Sequence, residues 1–230
     1  MKTSDVRRER EVRRREGYRE IILHAAEKVI LRKGYSSLTM DDVAREAQLA
    51  KATIYKYVPG KGALLFEILG HFFDVIRVGL IKIADGPGSA AEKLGRVVQA
   101  VLQSSEDTRH FNRVLWMDKA MFKLMRLFAY PPGKAGSAPA ADRKMLGMVK
   151  QKRQELIDVA ARILNQGVAS GEFRPMDGAQ AAAFVEAVLQ GYAHSQLWQG
   201  DAPRRPVAAE SLTRFIIEGI RNPGHSGKEI

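Results

Sequence analysis

Six side chains between residues 51 and 57 are of the types that proteins use to contact nucleic acid. They are the ammonium groups of Lys51 and Lys56, the hydroxyl of Thr53, the phenols of Tyr55 and Tyr57, and the methyl of Ala52. Lysine, threonine and tyrosine can donate hydrogen bonds to phosphate oxygens or base edges, and a methyl group can contact thymine. Because no carboxylate interrupts this run, it predicts a surface that can approach phosphates closely.

The surrounding residues predict two short helices that present this surface. Thr39 can cap a helix that extends to Ala47, with Asp42 three residues later completing a capping box. Pro59 and Gly60 end a second short helix, in which Ile54 and Val58 share one face and should pack inward. The six side chains named above are then expected to face outward. Two short helices joined by about three residues have the layout of a helix-turn-helix, here over residues 39–58.

Longer helices are predicted on both sides of this motif. Apolar residues recur with helical spacing between Ile21 and Ile30, and again from Leu64 to Ile76. Lys61 begins the second of these helices. A cation at that position lies where free backbone amides already favour an anion, so Lys61 is a candidate phosphate contact. Thr39 is a further candidate DNA-binding residue.

The basic charge is concentrated at the start of the chain. The 230 residues carry a net charge of +11, and residues 1–61 contain 15 Lys and Arg against 9 Asp and Glu, a net +6. Six arginines lie between Arg7 and Arg15. One interpretation is a solvated extension of the first helix. The other is a flexible basic arm over residues 1–15 that orders on DNA, with Arg13, Arg14 and Arg15 contacting the backbone or minor groove.

Several function classes are disfavoured by composition and motif content. With no cysteine, the chain has no disulfide framework and no thiolate metal site. The charged N-terminus is unlike a signal peptide, and no apolar stretch has the length of a membrane span, so we expect a cytoplasmic protein. A G-x-G-x-x-A sequence at 86–91 follows a helical pattern rather than a strand, which argues against a dinucleotide site. We expect no enzyme activity, no metal and no cofactor.

The rest of the chain shows helical periods and no alternation of period two, which predicts an all-α protein. We expect the DNA-binding domain to span 16–76 and a larger helical domain to span 77–222, followed by a flexible tail at 223–230. A Pro- and Gly-rich segment at 131–139 predicts a loop.

Residues 18–69 resemble the DNA-binding domain of the tetracycline-repressor (TetR) family. The resemblance rests on the helix that ends at Lys33 and Gly34, on Thr39, on the run from Ala52 to Tyr57, and on Lys61. It implies that the second short helix enters the major groove. It also implies that Tyr55, Lys61 and Thr53 contact phosphates, and that Lys51, Ala52, Lys56 and Tyr57 meet bases.

Two departures from the family pattern lie between the short helices. Gln48 stands where the family usually has glycine in the turn, and Ala50 stands where a serine or threonine usually caps the recognition helix. A lost cap typically costs about 1 kcal/mol, and a left-handed residue other than glycine costs about as much again. We therefore expect a recognition helix that is loosely held without DNA.

The resemblance further implies an effector-binding and dimerisation domain in the second half of the chain. We expect a mostly apolar pocket lined by Phe72, Val101, Trp116, Met121 and Met148, with His110, Gln190 or His194 orienting a polar group. Plain core packing of these residues is the alternative. The helices at about 141–169 and 177–199 are expected to pair with those of a second copy, although an intrachain hairpin would also explain them.

The resulting hypothesis is a ligand-responsive repressor that binds a palindromic operator as a homodimer and is released by a small molecule. The alternative is a TetR-like helical protein that acts through protein or anionic-membrane contacts without a specific operator.

Overall fold

The computed structural model describes residues 2–119, 140–198 and 207–224. These residues form nine α-helices and no strand, in agreement with the predicted all-α class. The helices are α1 Lys2–Lys33, α2 Met40–Ala47, α3 Lys51–Tyr57, α4 Lys61–Asp85, α5 Ala90–Asp107, α6 Arg109–Trp116, α7 Ala140–Ala169, α8 Gly178–Trp198 and α9 Val207–Ile220. The loop predicted at 131–139 and most of the predicted tail lie outside the described residues.

The chain divides into two compact units. The first unit comprises Met1–His71 and His110–Gly147, and the second comprises Phe72–Arg109 and Met148–Ile230. The chain therefore passes from the first unit to the second within α4, returns at the start of α6, and leaves again within α7. The sequence did not predict that α6 belongs with the first unit.

The first unit is organised around the inward faces of α1 to α4. Val29 on α1, Val43 on α2, Ile54 on α3 and Leu64 on α4 are all fully buried in one apolar cluster. Leu115 of α6 is 3% exposed and belongs to the same cluster. Burying a side chain of this size contributes about 1.5–3 kcal/mol, so this cluster anchors both short helices to the unit.

The N-terminal arginines are helical, which corrects the expectation of a flexible arm over residues 1–15. Helix α1 begins at Lys2 and runs without a break to Lys33. Arginine and glutamate are good helix formers, and the pair Glu11 and Arg14, 2.8 Å apart, lies at the favourable i, i+3 spacing. The described side chains from Val6 to Glu16 are exposed, so this half of α1 adds basic surface and no core.

The capping box predicted at the start of α2 is present. The Thr39 amide donates to Asp42 Oδ2 at 3.0 Å, and the Asp42 amide donates to Thr39 Oγ1 at 3.2 Å. The Lys33 ammonium also contacts the Asp42 carboxylate. These contacts, that of Lys33 first and that of the Thr39 hydroxyl second, hold the pKa of Asp42 well below its usual range. The cap therefore stays charged and intact at neutral pH.

Both departures in the turn between α2 and α3 have the predicted structural consequence. Gln48 adopts the left-handed conformation, with φ of 55° and ψ of 38°. Ala50 is the N-cap residue of α3 and supplies no side-chain hydrogen bond. The left-handed backbone of Gln48 and the missing cap at Ala50 thus each destabilise the turn that orients α3.

Replacing these two residues should stabilise the first unit. Gln48→Gly removes the left-handed strain and Ala50→Ser restores a cap, each worth about 1 kcal/mol. Urea unfolding at fixed protein concentration measures the change. Gly171→Ala is the matched reverse control, because Gly171 has φ of 78° with open space around it. It should lose about 1 kcal/mol. A less stable Gln48→Gly protein would show that the turn carries no strain.

The second unit has its own apolar core. Leu94 and Val98 of α5, Ile163 and Leu164 of α7, and Ala182 of α8 are fully buried there. Phe173, in the connection between α7 and α8, is 2% exposed and is among the largest buried side chains. That connection therefore belongs to the core and does more than link two helices.

Glu172 of the same connection caps α5 from a distant part of the chain. Its carboxylate accepts the amides of Ala90 at 3.1 Å and Ala91 at 3.0 Å, and the Ser170 hydroxyl at 3.0 Å. Burial raises the pKa of Glu172, but the amide and hydroxyl hydrogen bonds outweigh it and hold the pKa below the ordinary value. Its charge thus stabilises the folded state, as acids at helix N-termini do.

A lowered pKa makes this contribution to stability depend on pH. The stabilising contribution of Glu172 is complete above about pH 4.3, the usual glutamate pKa, and is lost as the pH falls through the lower pKa of the folded state. Glu172→Gln keeps one acceptor oxygen, so the variant should lose about 1–2 kcal/mol at neutral pH. The difference in free energy of unfolding between the variant and the parent protein should become smaller in acid. Urea unfolding across a pH series measures it, and a difference that stays constant in acid would contradict the assignment.

Helices α7 and α8 contact each other within one chain. Arg153 donates two hydrogen bonds to Glu186, of 2.6 Å and 2.5 Å. Ala181 and Ala182 of α8 are buried in the second unit's own core. Helices α7 and α8 thus contact each other within one chain, and contact with a second copy would use another face of these helices.

Candidate nucleic-acid interface

Helix α3 separates an inward face from an outward face, largely as the sequence predicts. Ile54 and the following Val58 are fully buried. Lys51, Ala52 and Lys56 are exposed, Tyr55 is 44% exposed, and Thr53 is half-buried. The outward face thus offers two ammonium groups, a phenol and a methyl to a partner.

The prediction that Tyr57 faces outward was wrong. Tyr57 is 7% exposed, and its ring stacks on Tyr18 of α1 with the centroids 5.0 Å apart and the planes at 15°. The reason is helical phase, because Tyr57 lies three residues after Ile54 and so falls on the buried face. Tyr57 therefore holds α3 on α1, and its predicted contact with bases loses its geometric support.

The outward face is also not free of acid. Asp41, in the first turn of α2, lies 2.7 Å from the Lys51 ammonium, and this hydrogen bond raises the pKa of Lys51. Both side chains are 57% exposed. Exposed pairs contribute only about 0–1 kcal/mol, so a phosphate can displace Asp41 from Lys51 at little cost. No signal in the sequence relates Asp41 to Lys51, because their contact depends on the crossing of α2 and α3.

Two predicted DNA-binding residues, Lys61 and Thr39, make hydrogen bonds within the protein. The Lys61 ammonium donates to the Ser36 carbonyl at 2.8 Å and lies 4.5 Å from the centre of the Tyr35 ring. Partial burial lowers the pKa of Lys61, with the charge of Asp118 acting in the opposite direction. Thr39 is exposed but belongs to the capping box. The DNA-binding role of both residues stays a prediction.

The basic half of α1 lies near the C-terminal end of α3. The hydrogen bond from Arg14 lowers the pKa of Glu11, and the charge of Lys56 lowers it further. Arg13, Arg14 and Arg15 are exposed. Since Tyr18 and Tyr57 also join these two helices, the arginines and the outward face of α3 belong to one region of the first unit.

The residues predicted to line an effector pocket have varied surroundings. Phe72, Val101 and Met148 are half-buried in the second unit, whereas Gln190 and His194 are exposed on α8. His110 is exposed and Trp116 is 37% exposed in the first unit. Met121 lies outside the described residues. The pocket stays a prediction.

The described residues include no group of three or more His, Asp or Glu side chains placed to hold a metal ion. No described helix combines the length and the apolar character that crossing a membrane requires.

A family model matches the helix-turn-helix and its flanking helices. Residues 22–68 match the family described as bacterial regulatory proteins, tetR family. This range includes all of α2 and α3 and the first turns of α4.

Two related proteins share part of this sequence. The chain is 31% identical over 77 residues to the uncharacterized HTH-type transcriptional regulator YuxN of Bacillus subtilis (strain 168), which covers 32% of this chain but about a quarter (26%) of that protein. It is 26% identical over 157 residues to the HTH-type transcriptional repressor KstR2 of Mycolicibacterium smegmatis, covering 68% of each. Both relatives are transcriptional regulators.

The fold is shared with solved structures of regulators. One is the transcriptional regulator FadR from Bacillus subtilis in complex with stearoyl-CoA, with a TM-score of 0.65 and 17% identity, covering 88% of this chain and 99% of that one. A likeness at this identity shows the common all-helical fold.

Proposed function

We propose that this chain is a helix-turn-helix transcriptional regulator of the tetR family, a repressor that binds an inverted-repeat operator as a dimer. A small effector then releases it. The observation that carries this proposal is the outward face of α3, on which Lys51, Tyr55 and Lys56 are exposed above a fully buried Ile54.

The chemistry of that face suits the major groove. Lysine can donate to the O6 and N7 acceptors of guanine, and the Ala52 methyl can contact thymine. Tyr55 can donate its hydroxyl to a phosphate, which fixes the register of the helix without reading sequence. Lys51 would exchange its exposed partner Asp41 for an acceptor on DNA. We assign base contacts to Lys56 and Ala52, and backbone contacts to Tyr55 and Thr53.

The arginines of α1 would add affinity that does not depend on sequence. Six arginines on an exposed helix near α3 can neutralise several phosphates, and each neutralised phosphate contributes about −0.9 to the slope of log affinity against log salt. Arg13, Arg14 and Arg15 are the ones we assign to the backbone. Removal of residues 2–15 should therefore flatten the salt dependence.

A second copy of the chain is the proposed partner of α7 and α8. The exposed face of α8 carries an apolar and small-residue stripe, with Phe184 64% exposed and Val188 38% exposed next to Ala183, Ala187 and Gly191. Exposed aromatic residues of this kind are typical of protein interfaces. A two-fold dimer would present two α3 helices to half-sites about 34 Å apart.

Changing Phe184 should break this dimer. Phe184→Glu places a charge in the apolar stripe, and an unpaired charge in an interface costs several kcal/mol. We expect a monomer in sedimentation velocity and the loss of cooperative binding to a two-half-site duplex. Phe215→Glu is the matched control, because Phe215 is 69% exposed on α9. A dimer that survives Phe184→Glu and dissociates with Phe215→Glu would move the interface to α9.

The proposed effector is small and mostly apolar. Fatty acyl chains, tested both as free acids and as coenzyme A thioesters, are the first class to test, since the structurally similar FadR was solved with stearoyl-CoA. An effector that weakens operator binding about a hundredfold must bind the DNA-free state more tightly by about 2.7 kcal/mol. Helix α4 is the proposed link, because its residues contribute to both units.

Selection of binders from a pool of random-sequence duplexes tests the regulator proposal. We expect enrichment of one inverted repeat, and tighter binding of that duplex than of its scrambled counterpart in mobility shifts. A pool that remains random after selection would overturn the proposal and favour contacts with protein or anionic membrane.

A further inference from the structure

The chain just after α6 places a buried acid on the DNA-binding unit. Asp118 is 9% exposed, one of only two buried polar residues in the described part of the chain. Leu115, one turn earlier, is 3% exposed in the core of the first unit, and Phe111 and Val114 pack against the same core. Asp118 is therefore held at a fixed place beside the loop that joins α1 to α2.

Asp118 binds one residue of that loop through both of its carboxylate oxygens. Oδ2 accepts the Ser36 amide at 2.6 Å, and Oδ1 accepts the Ser36 hydroxyl at 2.5 Å. Hydrogen bonds to an ionised acceptor are about twice as strong as neutral ones. The two residues are 82 positions apart in the sequence, so this contact is a tertiary constraint on the loop.

The opposite side of Ser36 is held by α4. The Lys61 ammonium donates to the Ser36 carbonyl at 2.8 Å. The amide, hydroxyl and carbonyl of Ser36 are thus all bound by groups from outside the loop. The backbone also passes close to the acid, because a Cβ added at Gly34 would lie 3.4 Å from Asp118 Oδ2.

The position of this loop determines where α2 begins. Thr39, three residues after Ser36, is the N-cap of α2. Helix α2 then leads through the strained Gln48 turn to α3, whose N-terminus has no side-chain cap. A short helix with few local constraints depends on its neighbours for orientation, so a shift at Ser36 would reach the face that meets DNA.

We propose that Asp118 is a positioning residue for operator recognition, which clamps Ser36 against Lys61 and so sets the orientation of α2 and α3. This inference rests on the proposed function. It assigns to the segment after α6 a role in discriminating between DNA sequences, without any contact between Asp118 and DNA.

The proposed test compares full-length Asp118→Ala and Asp118→Asn with the parent protein on the selected duplex and on its scrambled counterpart. A misplaced α3 loses contacts with bases but keeps its general attraction to phosphates. For Asp118→Ala we expect about tenfold weaker binding to the selected duplex, the loss of roughly one charge-assisted hydrogen bond. Binding to the scrambled duplex should change less than about twofold. Asp118→Asn retains an acceptor for the Ser36 amide and should recover part of the discrimination.

The ratio of the two affinities separates positioning from general destabilisation. A purely structural role would lower the folded fraction and weaken both duplexes equally, so an unchanged ratio for Asp118→Ala would overturn the proposal. Ser36→Ala removes only the hydroxyl bond, and should lower the ratio by a smaller factor in a protein that unfolds like the parent. The Ser36→Ala variant keeps the test decisive if Asp118→Ala does not fold. An unchanged ratio of the two affinities in both Ser36→Ala and Asp118→Asn would equally overturn the proposal. If the parent protein itself fails to discriminate, the regulator proposal fails instead.

Discussion

Phe173→Ala should destabilise the second unit by about 3–5 kcal/mol, the usual cost of removing a buried phenylalanine. Phe173 is 2% exposed, and the backbone on either side of it is fixed as well. The Phe173 amide donates to the Gly167 carbonyl at 3.0 Å, and the Arg174 amide donates to the Ile220 carbonyl at 3.0 Å. The ring thus fills a space between elements that cannot easily collapse. Urea unfolding at fixed protein concentration measures the loss, and a loss below about 1 kcal/mol would show that the site repacks.

Gly167 offers a matched test of the same contact. A Cβ at Gly167 would lie 2.1 Å from Phe173 Cδ2 and 2.9 Å from Ala90 Cβ. Gly167→Ala should therefore be destabilising by about 1–3 kcal/mol, although alanine favours a helix. In a Phe173→Ala background the added methyl should cost less, because the ring is gone and only the close approach to Ala90 Cβ remains. Two independent, additive losses would contradict direct contact between these residues.

Lys56→Ala should weaken binding to the selected duplex by about 1–3 kcal/mol, or about 5- to 150-fold, if Lys56 reads a base. Binding to a scrambled duplex should fall far less. Lys82→Ala removes the same charge from an exposed position on α4 and should change neither affinity. Mobility shifts on both duplexes give the comparison. A loss of equal size on both duplexes would reassign Lys56 to the phosphate backbone.

Substitutions of Tyr57 distinguish a base contact, which the sequence predicted, from packing on Tyr18, which the structure shows. If Tyr57 contacted bases, Tyr57→Phe would erode discrimination. With the ring stacked on Tyr18 and 7% exposed, Tyr57→Phe should leave DNA binding unchanged, and the larger change Tyr57→Ala should act by loosening α3.

Local features of the helix-turn-helix could be predicted because they depend on residues close in sequence. Thr39 and Asp42 are three positions apart, so a capping box follows from their types alone. The left-handed Gln48 and the uncapped Ala50 were expected because the two residues depart from the pattern of the family that residues 18–69 resemble. Placement of Ile54 and Val58 on the inward face required only the helical period.

The predictions were wrong where a one-residue difference in helical phase, or the position of a helix boundary, determines the structure. Tyr57 lies at the last position of a seven-residue helix, where the choice between faces depends on how α3 meets α1. The arginine run has strong helix-forming composition, and α1 extends through it. The position of this run just before a DNA-binding helix favoured an arm, but that position does not by itself prevent a helix.

Contacts between distant parts of the chain could not be predicted at all. Nothing near Ser36 indicates that Asp118 will bind it, or that α6 will join the first unit. The same holds for Glu172 at the N-terminus of α5, since the carboxylate and the amides that it accepts are about eighty residues apart. Such pairs depend on the assembled fold, and a single sequence contains no local pattern for them.

Recognition of a specific operator by the outward face of α3 is most directly tested by the salt dependence of binding to the selected duplex and to its scrambled counterpart. The parent protein should bind the selected duplex more tightly at every salt concentration, with a steep slope on both duplexes. Lys56→Ala should remove most of the difference between the two duplexes and leave a steep slope. Equal binding to the two duplexes, unchanged by Lys56→Ala, would contradict operator recognition by α3.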